Sequence, residues 1–520
     1  MINPPNIERP SPRRCWWLPS ASVVIWLAFF LAISLSPARV MMIASDADPC
    51  WHWQQGNWML QHHAVVRTEL FSHTRPGAPL IDLWWLSEIV MALAGNLFGW
   101  DGIVLVAAAV CATCVWLLHR QLLGEDNELL LSTALTLLAA AVCATHWVAR
   151  PHLATQLLVV VFAWQLRWFD RGRATARQLL ILLPLLTALW ANLHGAFIAA
   201  FVLIGVHWIG SVVDWARATA DHQSALRQRW TALTVLGVAC FLASWLNPHG
   251  WNLSGQIFRD LRNPFLMGFA QDCLPPNFHD ASTLPFMLMS VAALLTLLVA
   301  RPRLGVTDGL LLIIWLLLSL RMVRNGPLFA LVVTPILAEH WNARLRAAAP
   351  SWIIRRYRSL SASLTTANQM VRARGLPVLA VAAMVLVLAK PQLFGGQPLV
   401  STELPANQFP VDAVQFLRQS PNVVHGEMFN EYTWGGYFVL AMPERKVFIH
   451  PDFFVYGEEV VRDFLRVNGA QPGWEDVLEK YHVGWTILPR AHRLNHVLAQ
   501  RTDWKLVYTD RVASIYGSTR

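Results

Sequence analysis

Long apolar runs recur over the first 392 positions of the sequence and constrain its fold more than any other feature. Each run has roughly 16 to 22 residues, enough for a helix to cross the ~30 Å hydrocarbon core of a bilayer. Hydrophobic residues make up 55% of the 520 positions and charged residues only 14%, which excludes an ordinary soluble globular protein. The sequence therefore predicts an all-α polytopic membrane domain over residues 1–394.

Eleven membrane spans are predicted. They are residues 17–38, 102–118, 128–146, 153–168, 178–192, 196–213, 231–246, 283–300, 305–321, 326–341 and 376–392. The first span is interpreted as uncleaved, because its apolar part is longer than the ~7–15 residues of a cleaved signal peptide. The apolar region 178–214 is too long for one crossing, and the polar residues Asn192-Leu193-His194-Gly195 divide it in two.

One further apolar stretch, residues 81–100, is predicted to lie along the membrane surface instead of crossing. Four arginine-rich loops occur at residues 167–177, 214–230, 301–303 and 341–374. These loops share the cytoplasmic side with the N-terminus only if the stretch does not cross. The stretch also carries Asp82, Glu88 and Asn96, which suit a helix at the interface. The orientation that follows is a cytoplasmic N-terminus and an external C-terminal tail.

The arginines of these loops also account for the formal charge of +9. No basic patch interleaves with a soluble aromatic platform, so membrane lipids are predicted as partners and nucleic acid is not.

The tail, residues 395–520, is predicted to be a small, separate α/β domain on the external side. Helical stretches are predicted at residues 411–419, 455–467, 474–481 and 492–501, and β-rich runs at 422–428, 445–449, 484–488, 503–508 and 511–516. Residues 433–437, which include two adjacent glycines, are predicted to form a tight turn.

Two carboxylates, Asp46 and Asp48, follow the first span where the chain is expected to leave the bilayer. Acidic groups at a membrane face are costly, so a pair of them indicates a site for chemistry or for an ion. Helix capping by Asp48 ahead of Pro49 is the alternative explanation. Cys50 in the same loop and Cys273 are both placed outside the cytoplasm, which leaves a disulfide between them open.

Other polar residues are predicted to gather on the same external face. They are His52, Glu88, Arg150, His152, His194, Arg321 and Arg324. External arginines run against the positive-inside bias and therefore indicate an anionic partner such as a lipid phosphate. Asp48, or else Asp46, is the candidate base for a weakly nucleophilic hydroxyl, and the arginines and histidines are candidates to stabilise a departing phosphate.

Several of these segments resemble the GT-C superfamily of polyprenyl-phosphate-dependent glycosyltransferases, and most closely a bacterial group with a D-x-D-x-x-W-H motif in the first external loop. The matching segments are residues 46–60, 67–74, 85–88, 192–195, 247–250 and 429–437. Two segments differ from the group's pattern. Ala47 replaces a proline, and Phe448-Ile449-His450-Pro451-Asp452 stands where F-I-D-G-R is usual, so the resemblance implies no role for that segment.

The resemblance implies transfer of a sugar from a polyprenyl-phosphate-linked donor to a glycan, lipid or protein acceptor, with inversion, outside the bacterial inner membrane. Oligosaccharyltransferases of the superfamily use acidic residues to hold a metal, whereas the lipid-monosaccharide enzymes need none. A divalent cation, Mg²⁺ or Mn²⁺, at Asp46 and Asp48 is therefore left open. Two other functions also remain open, a transporter or flippase and a non-catalytic subunit of a cell-envelope glycan assembly complex.

Overall fold

The computed structural model describes residues 18–44, 47–125, 127–300, 304–371, 375–390 and 402–519. The N-terminal part is helical. Its helices are α1 (Ala21–Leu35), α2 (Ala38–Ala44), α3 (Asp48–His62), α4 (Trp85–Gly124), α5 (Leu129–Ala144), α6 (His152–Asp170), α7 (Ala176–Leu193), α8 (Ile198–Arg217), α9 (Ala220–Ala243), α10 (Asn252–Leu261), α11 (Pro264–Phe269), α12 (Leu284–Val299), α13 (Val306–Arg321), α14 (Gly326–Ala347), α15 (Trp352–Met370) and α16 (Leu376–Ala389).

Each of the eleven predicted spans coincides with one of these helices or with the second half of α4. Within the described residues, four helical segments have both the length and the hydropathy of a membrane span: Trp85–Gly124, Ala176–Leu193, Gly195–Arg217 and Ala281–Val299. Three shorter helices, α1, α5 and α16, are also apolar. The chain is therefore a multi-pass membrane protein, and the number of eleven crossings stays a prediction.

Helix α4 consists of two arms separated by a kink. Phe98 and Gly99 have non-helical backbone angles, and Gly99 has a φ of 59°, which favours glycine. A Cβ on Gly102 would lie 2.1 Å from the carbonyl oxygen of Ala94. Residues eight apart in a straight helix are separated by about 12 Å, so the chain turns sharply here. The first arm, residues 85–97, is thus distinct from the second arm, as predicted, although its lie along the membrane surface remains a prediction.

Helix α3 follows the acidic loop and packs tightly against the first arm of α4. Pro49 stands in its first turn, where the missing N–H is not needed, and His63 ends it in the left-handed region with a φ of 50°. A Cβ on Gly56 would lie 2.1 Å from the Glu88 carbonyl oxygen, and one on Gly95 would lie 2.4 Å from the Trp53 ring. These glycines allow the two helices to approach closely enough to hold the start of α3 in place.

The close approach at Gly56 leads to a stability prediction. We expect Gly56→Ala to destabilise the protein by about 1–3 kcal/mol, because the new methyl group meets backbone that cannot move aside. Gly205→Ala in α8 is the matched control: a Cβ there meets nothing within 4 Å, and alanine favours the helix. Thermal unfolding in detergent measures both. An unchanged melting temperature in Gly56→Ala would contradict the packing described.

An ion network centred on the buried Arg167 side chain joins four helices at one end of the bundle. The Arg167 guanidinium lies 3.3 Å from Glu125 and 2.9 Å from Asp308, and it also pairs with Glu339. Arg167 is in the last turn of α6, whereas His152 is in the first, about 22 Å away along the helix. The ends of α4, α6 and α14 and the start of α13 therefore share one side, which agrees with the alternation of spans predicted from the arginine-rich loops.

The C-terminal part forms a small mixed domain. Its elements are α17 (Val411–Gln419), β1 (Glu427–Asn430), α18 (Gly435–Ala441), α19 (Gly457–Asn468), α20 (Trp474–Lys480), β2 (Val483–Pro489), α21 (Arg493–Leu498), β3 (Trp504–Thr509) and β4 (Ala513–Ser518). The sheet order is β1-β2-β4-β3, with β1 and β2 parallel and the other two pairings antiparallel. The predicted boundary at residue 395 lies outside the described residues.

Two predictions for this domain were wrong. Residues 433–437 do not form a simple turn, because helix α18 begins at Gly435 and its two glycines pack against backbone: a Cβ on Gly435 would lie 2.2 Å from the Ile449 carbonyl oxygen. Residues 445–449 are not a strand of the sheet. Val447 instead pairs with Ser72 in an isolated parallel bridge, so its backbone hydrogen bonds are made by the loop between α3 and α4.

This loop, residues 63–84 between α3 and α4, contacts the C-terminal domain. The Val447 amide donates to the Phe71 carbonyl at 2.9 Å, and the Thr74 hydroxyl donates to the Phe448 carbonyl at 2.7 Å. Directly beside the loop, a Cβ on Gly436 would lie 2.2 Å from the Ala47 carbonyl oxygen. The C-terminal domain is therefore seated against the start of α3, where the acidic loop ends.

Candidate active site

Asp48 lies at the N-terminus of α3, at the junction between the helical part and the C-terminal domain. Its carboxylate pairs with the Arg150 guanidinium at 3.0 Å and accepts a hydrogen bond from the Trp51 indole at 3.3 Å. The Asp48 side chain is 16% exposed and that of Arg150 is 27% exposed, so both can be reached from outside. Burial raises the pKa of Asp48 to about 7, although the Trp51 hydrogen bond opposes this and the negative charges of Asp272 and Asp452 add to it.

Arg150 reaches this site from the short connection between α5 and α6. Burial lowers the pKa of the guanidinium, and the nearby carboxylate of Asp272 opposes that effect. His152, two residues later, donates from Nε2 to the His146 carbonyl at 2.6 Å, which fixes the connection. Of the predicted site residues, the structure thus brings Asp48 and Arg150 together, and their roles in sugar transfer stay predictions.

A second layer of polar groups lies beneath Trp51. His52 Nδ1 and Glu88 Oε1 are 2.7 Å apart, and both residues are buried. Gln55 donates to Glu88 at 2.9 Å and to Asp82 at 3.1 Å. The Trp51 ring packs on the His52 ring at a centroid distance of 3.7 Å. His52 and Glu88 therefore support the Trp51 ring, which contacts Asp48. The sequence predicts that both residues bind substrate, and that prediction stays open.

The remaining predicted residues are divided between the site and its surroundings. His194 Nδ1 accepts from the Ala196 amide at 3.2 Å and lies 2.9 Å from the Thr155 hydroxyl, which leaves the ring proton on Nε2. Burial, His152 and the positive charge of Arg324 hold the pKa of His194 well below its usual value. Arg324 is thus close to His194. Arg321 is exposed at the end of α13, and no ion pair among the described residues includes it.

The C-terminal domain contributes residues that sequence reasoning did not assign to the site. Asp452 is 7% exposed, and burial raises its pKa to about 7. His450 Nε2 lies 3.4 Å from Glu69, and the His450 ring lies 5.6 Å from the Trp51 ring. Burial alone would raise the pKa of Glu69, but His450 and two backbone amides hold it below its ordinary value. Burial raises the pKa of Tyr432, and the negative charge of nearby Asp48 raises it further.

In the sequence, residues 448–452 stand out only by their departure from the F-I-D-G-R pattern of the group that the chain resembles. The docking that brings His450 and Asp452 to the site depends on contacts between distant backbone segments, and no local pattern encodes them.

Asp46 lies outside the described residues, so its place in the site remains a prediction. Within the described part of the chain, no three acidic, histidine or cysteine residues are arranged as ligands for a metal ion. The described residues, which do not include Asp46, do not by themselves form the Mg²⁺ or Mn²⁺ site considered for Asp46 and Asp48. Cys50 and Cys273 are both free and buried in the structure, so they are not bridged there.

The fold that carries this site is similar to that of an archaeal oligosaccharyltransferase. The chain is similar to the archaeal oligosaccharyltransferase AglB from Archaeoglobus fulgidus, solved with an inhibitory peptide and a dolichol-phosphate. The sequence identity is 13% and the TM-score 0.55, over 90% of this chain and 69% of AglB. An apo form of the Archaeoglobus fulgidus oligosaccharyltransferase also gives a TM-score of 0.55, at 12% identity and the same coverage.

ArnT from Cupriavidus metallidurans, solved with undecaprenyl phosphate, gives a TM-score of 0.48 at 14% identity, over 94% of this chain and 97% of ArnT. No protein-family model matches the sequence, and no curated protein matches it significantly. The likeness to the oligosaccharyltransferases shows the fold.

Proposed function

We propose that this protein is a glycosyltransferase that moves a sugar from a polyprenyl-phosphate-linked donor to a hydroxyl or amide of a glycan, lipid or protein acceptor. The observation that carries the proposal is the reachable Asp48 carboxylate, held between Arg150 and Trp51 in a fold shared with AglB. A partly desolvated carboxylate with a pKa near neutrality is suited to take a proton at physiological pH.

The reaction follows from the charges around Asp48. The acceptor loses its proton to the Asp48 carboxylate while its oxygen or nitrogen forms a bond to the anomeric carbon. The bond from that carbon to the phosphate oxygen breaks, and its electron pair moves to the leaving phosphate. One displacement inverts the anomeric centre. Asp46 is the alternative base.

Positive and hydrogen-bonding groups are available for the leaving phosphate. Arg150 is adjacent to the base, and Arg324 lies near His194. Because His194 is neutral and carries its proton on Nε2, it can donate a hydrogen bond without adding charge. Donors already in position where negative charge develops are the usual means of stabilising such a transition state. We place this face outside the inner membrane, with the N-terminus in the cytoplasm.

Purified protein reconstituted in lipid, with undecaprenyl-phosphate-linked sugars carrying a radiolabel, tests the proposal. We expect label to pass from the lipid to an acceptor fraction from cell envelopes. Movement of labelled lipid across the bilayer without a glycosidic product would contradict the proposal and favour a transporter. Binding of the lipid without either event would favour a non-catalytic subunit.

The pKa of Asp48 leads to a pH prediction. The base must be ionised, and burial raises its pKa to about 7, so turnover falls as the pH drops through 7. At pH 6 we expect roughly one tenth of the plateau rate, since about one carboxylate in eleven is then ionised. A kcat profile from pH 5 to 9 measures this. A rate independent of pH between 5 and 8 would exclude Asp48 as the base.

A further inference from the structure

We propose that a cavity in the C-terminal domain, separate from the Asp48 site, binds an anionic saccharide. The cavity has a volume of about 710 Å³, and its polar lining comprises Arg490, Arg511, His496, Asn407 and Gln408, with Trp434 beside them. The two arginines and His496 are exposed, and the residues that line the cavity include no carboxylate.

Backbone geometry places the two arginines side by side. Arg490 directly follows β2, and its amide donates to the Val512 carbonyl at 2.8 Å. Arg511 is in the turn between β3 and β4, where the Asp510 carboxylate accepts from the Val512 and Ala513 amides at 2.6 and 2.7 Å. The backbone positions from which the two arginine side chains extend are therefore set by the sheet and its turn.

These charges are not neutralised within the described part of the chain. No ion pair there includes Arg490 or Arg511. Asp510, the neighbouring acid, is already engaged by two backbone amides and by the Tyr508 hydroxyl at 2.8 Å. Two free guanidinium groups at one cavity select a ligand with carboxylate or phosphate groups, to which they can donate paired hydrogen bonds.

The other lining residues favour a sugar over a simple anion. The amide groups of Asn407 and Gln408 are exposed and suit hydroxyl groups, which both donate and accept. Trp434 is 6% exposed and its indole donates to the Gln408 carbonyl at 3.0 Å, so a rigid apolar edge lies next to them. Charge, amides and an aromatic edge together match an oligosaccharide that carries acidic groups.

The cavity is linked to the active site through one short segment. β1 and β2 are parallel, and the backbone amide of Glu431 donates to the Ile487 carbonyl at 3.2 Å, so the residues after the two strands lie together. Within that segment Tyr432 lies near Asp48, Trp434 lines the cavity and Gly436 meets Ala47. If the proposed function holds, the saccharide is the acceptor; binding itself does not depend on that function.

The test compares the affinity of the full-length protein in nanodiscs for trigalacturonate and for neutral maltotriose, by calorimetry. We expect trigalacturonate to bind and its affinity to fall at least tenfold in Arg490→Gln/Arg511→Gln. The control Arg493→Gln/Lys505→Gln removes the same charge from exposed positions outside the cavity and should bind normally. Unchanged affinity in the cavity variant, or an equal loss in the control, would overturn the proposal.

Two further comparisons are needed. One distinguishes an acidic saccharide from a lipid headgroup, and the other distinguishes this proposal from the proposed function. Equal affinity for maltotriose would remove the need for an anion, and equally strong binding of glycerol phosphate would assign the cavity to a lipid headgroup; either result would overturn the saccharide. Asp48→Asn should leave trigalacturonate binding unchanged. If transfer activity is absent but trigalacturonate binds as expected, the proposed function fails while this inference stands.

Discussion

Asp48→Asn is expected to lower the rate of sugar transfer by about 10² to 10⁴, the range that a positioned general base contributes. The asparagine side chain keeps the size of the carboxylate and can still accept from Trp51, so the start of α3 should keep its structure. Initial rates with saturating donor and acceptor, together with a melting curve, separate loss of the base from loss of the fold.

Asp280→Asn serves as the matched control for this experiment. Asp280 is a fully exposed carboxylate in another connection of the helical part, and asparagine can still accept from the Ser282 amide that it caps. We expect its rate to equal that of the unmodified protein. If Asp48→Asn also retains full activity, the assignment of Asp48 as the base is wrong and Asp46 becomes the remaining candidate.

Arg150→Gln is expected to have an effect of similar size, about 10² to 10³ in kcat, which is typical for removal of one donor from a developing negative charge. The change also removes the guanidinium that pairs with the Asp48 carboxylate at 3.0 Å. Its pKa should therefore rise further, and the acid limb of the pH profile should move to higher pH. That shift is a readout that a purely structural role of Arg150 would not produce.

Two variants complete the test of Arg150. Arg150→Lys keeps the positive charge but loses the planar guanidinium with its paired donors. Compared with Arg150→Gln, we expect it to return the pH midpoint closer to the unmodified value than the rate. Arg262→Gln removes an exposed arginine from the end of α10 and should change neither. A normal rate and pH midpoint in Arg150→Gln would show that the leaving phosphate is stabilised elsewhere.

Much of the fold can be predicted from this sequence because membrane helices are defined by local composition. Each predicted span coincides with a helix, and the distinction between the arms of α4 follows from Asp82, Glu88 and Asn96 in the first arm and its vicinity. Strand boundaries in the C-terminal domain are less local. Val447 was predicted to be in a sheet strand, but its pairing partner is Ser72, nearly four hundred positions earlier in the chain.

The arrangement around Asp48 depends less on local composition. Asp48 and Arg150 could be placed on one face from the alternation of spans, but their 3.0 Å contact depends on how α3 and α6 each pack against α4. Arg321 and Arg324 are close in sequence, yet they differ in place: the charge of Arg324 lowers the pKa of His194, whereas the Arg321 side chain is exposed at the end of α13. Asp452 and His450 were missed because the seating of the C-terminal domain requires the glycine contact at Ala47.

A structure of the protein with bound undecaprenyl phosphate tests the central claim most directly. The account predicts that a phosphate oxygen lies within hydrogen-bond distance, about 2.7–3.2 Å, of Arg150 or Arg324, on the side of the bundle where Asp48 lies. A phosphate bound at the opposite end, beside the ion network of Arg167, would contradict it.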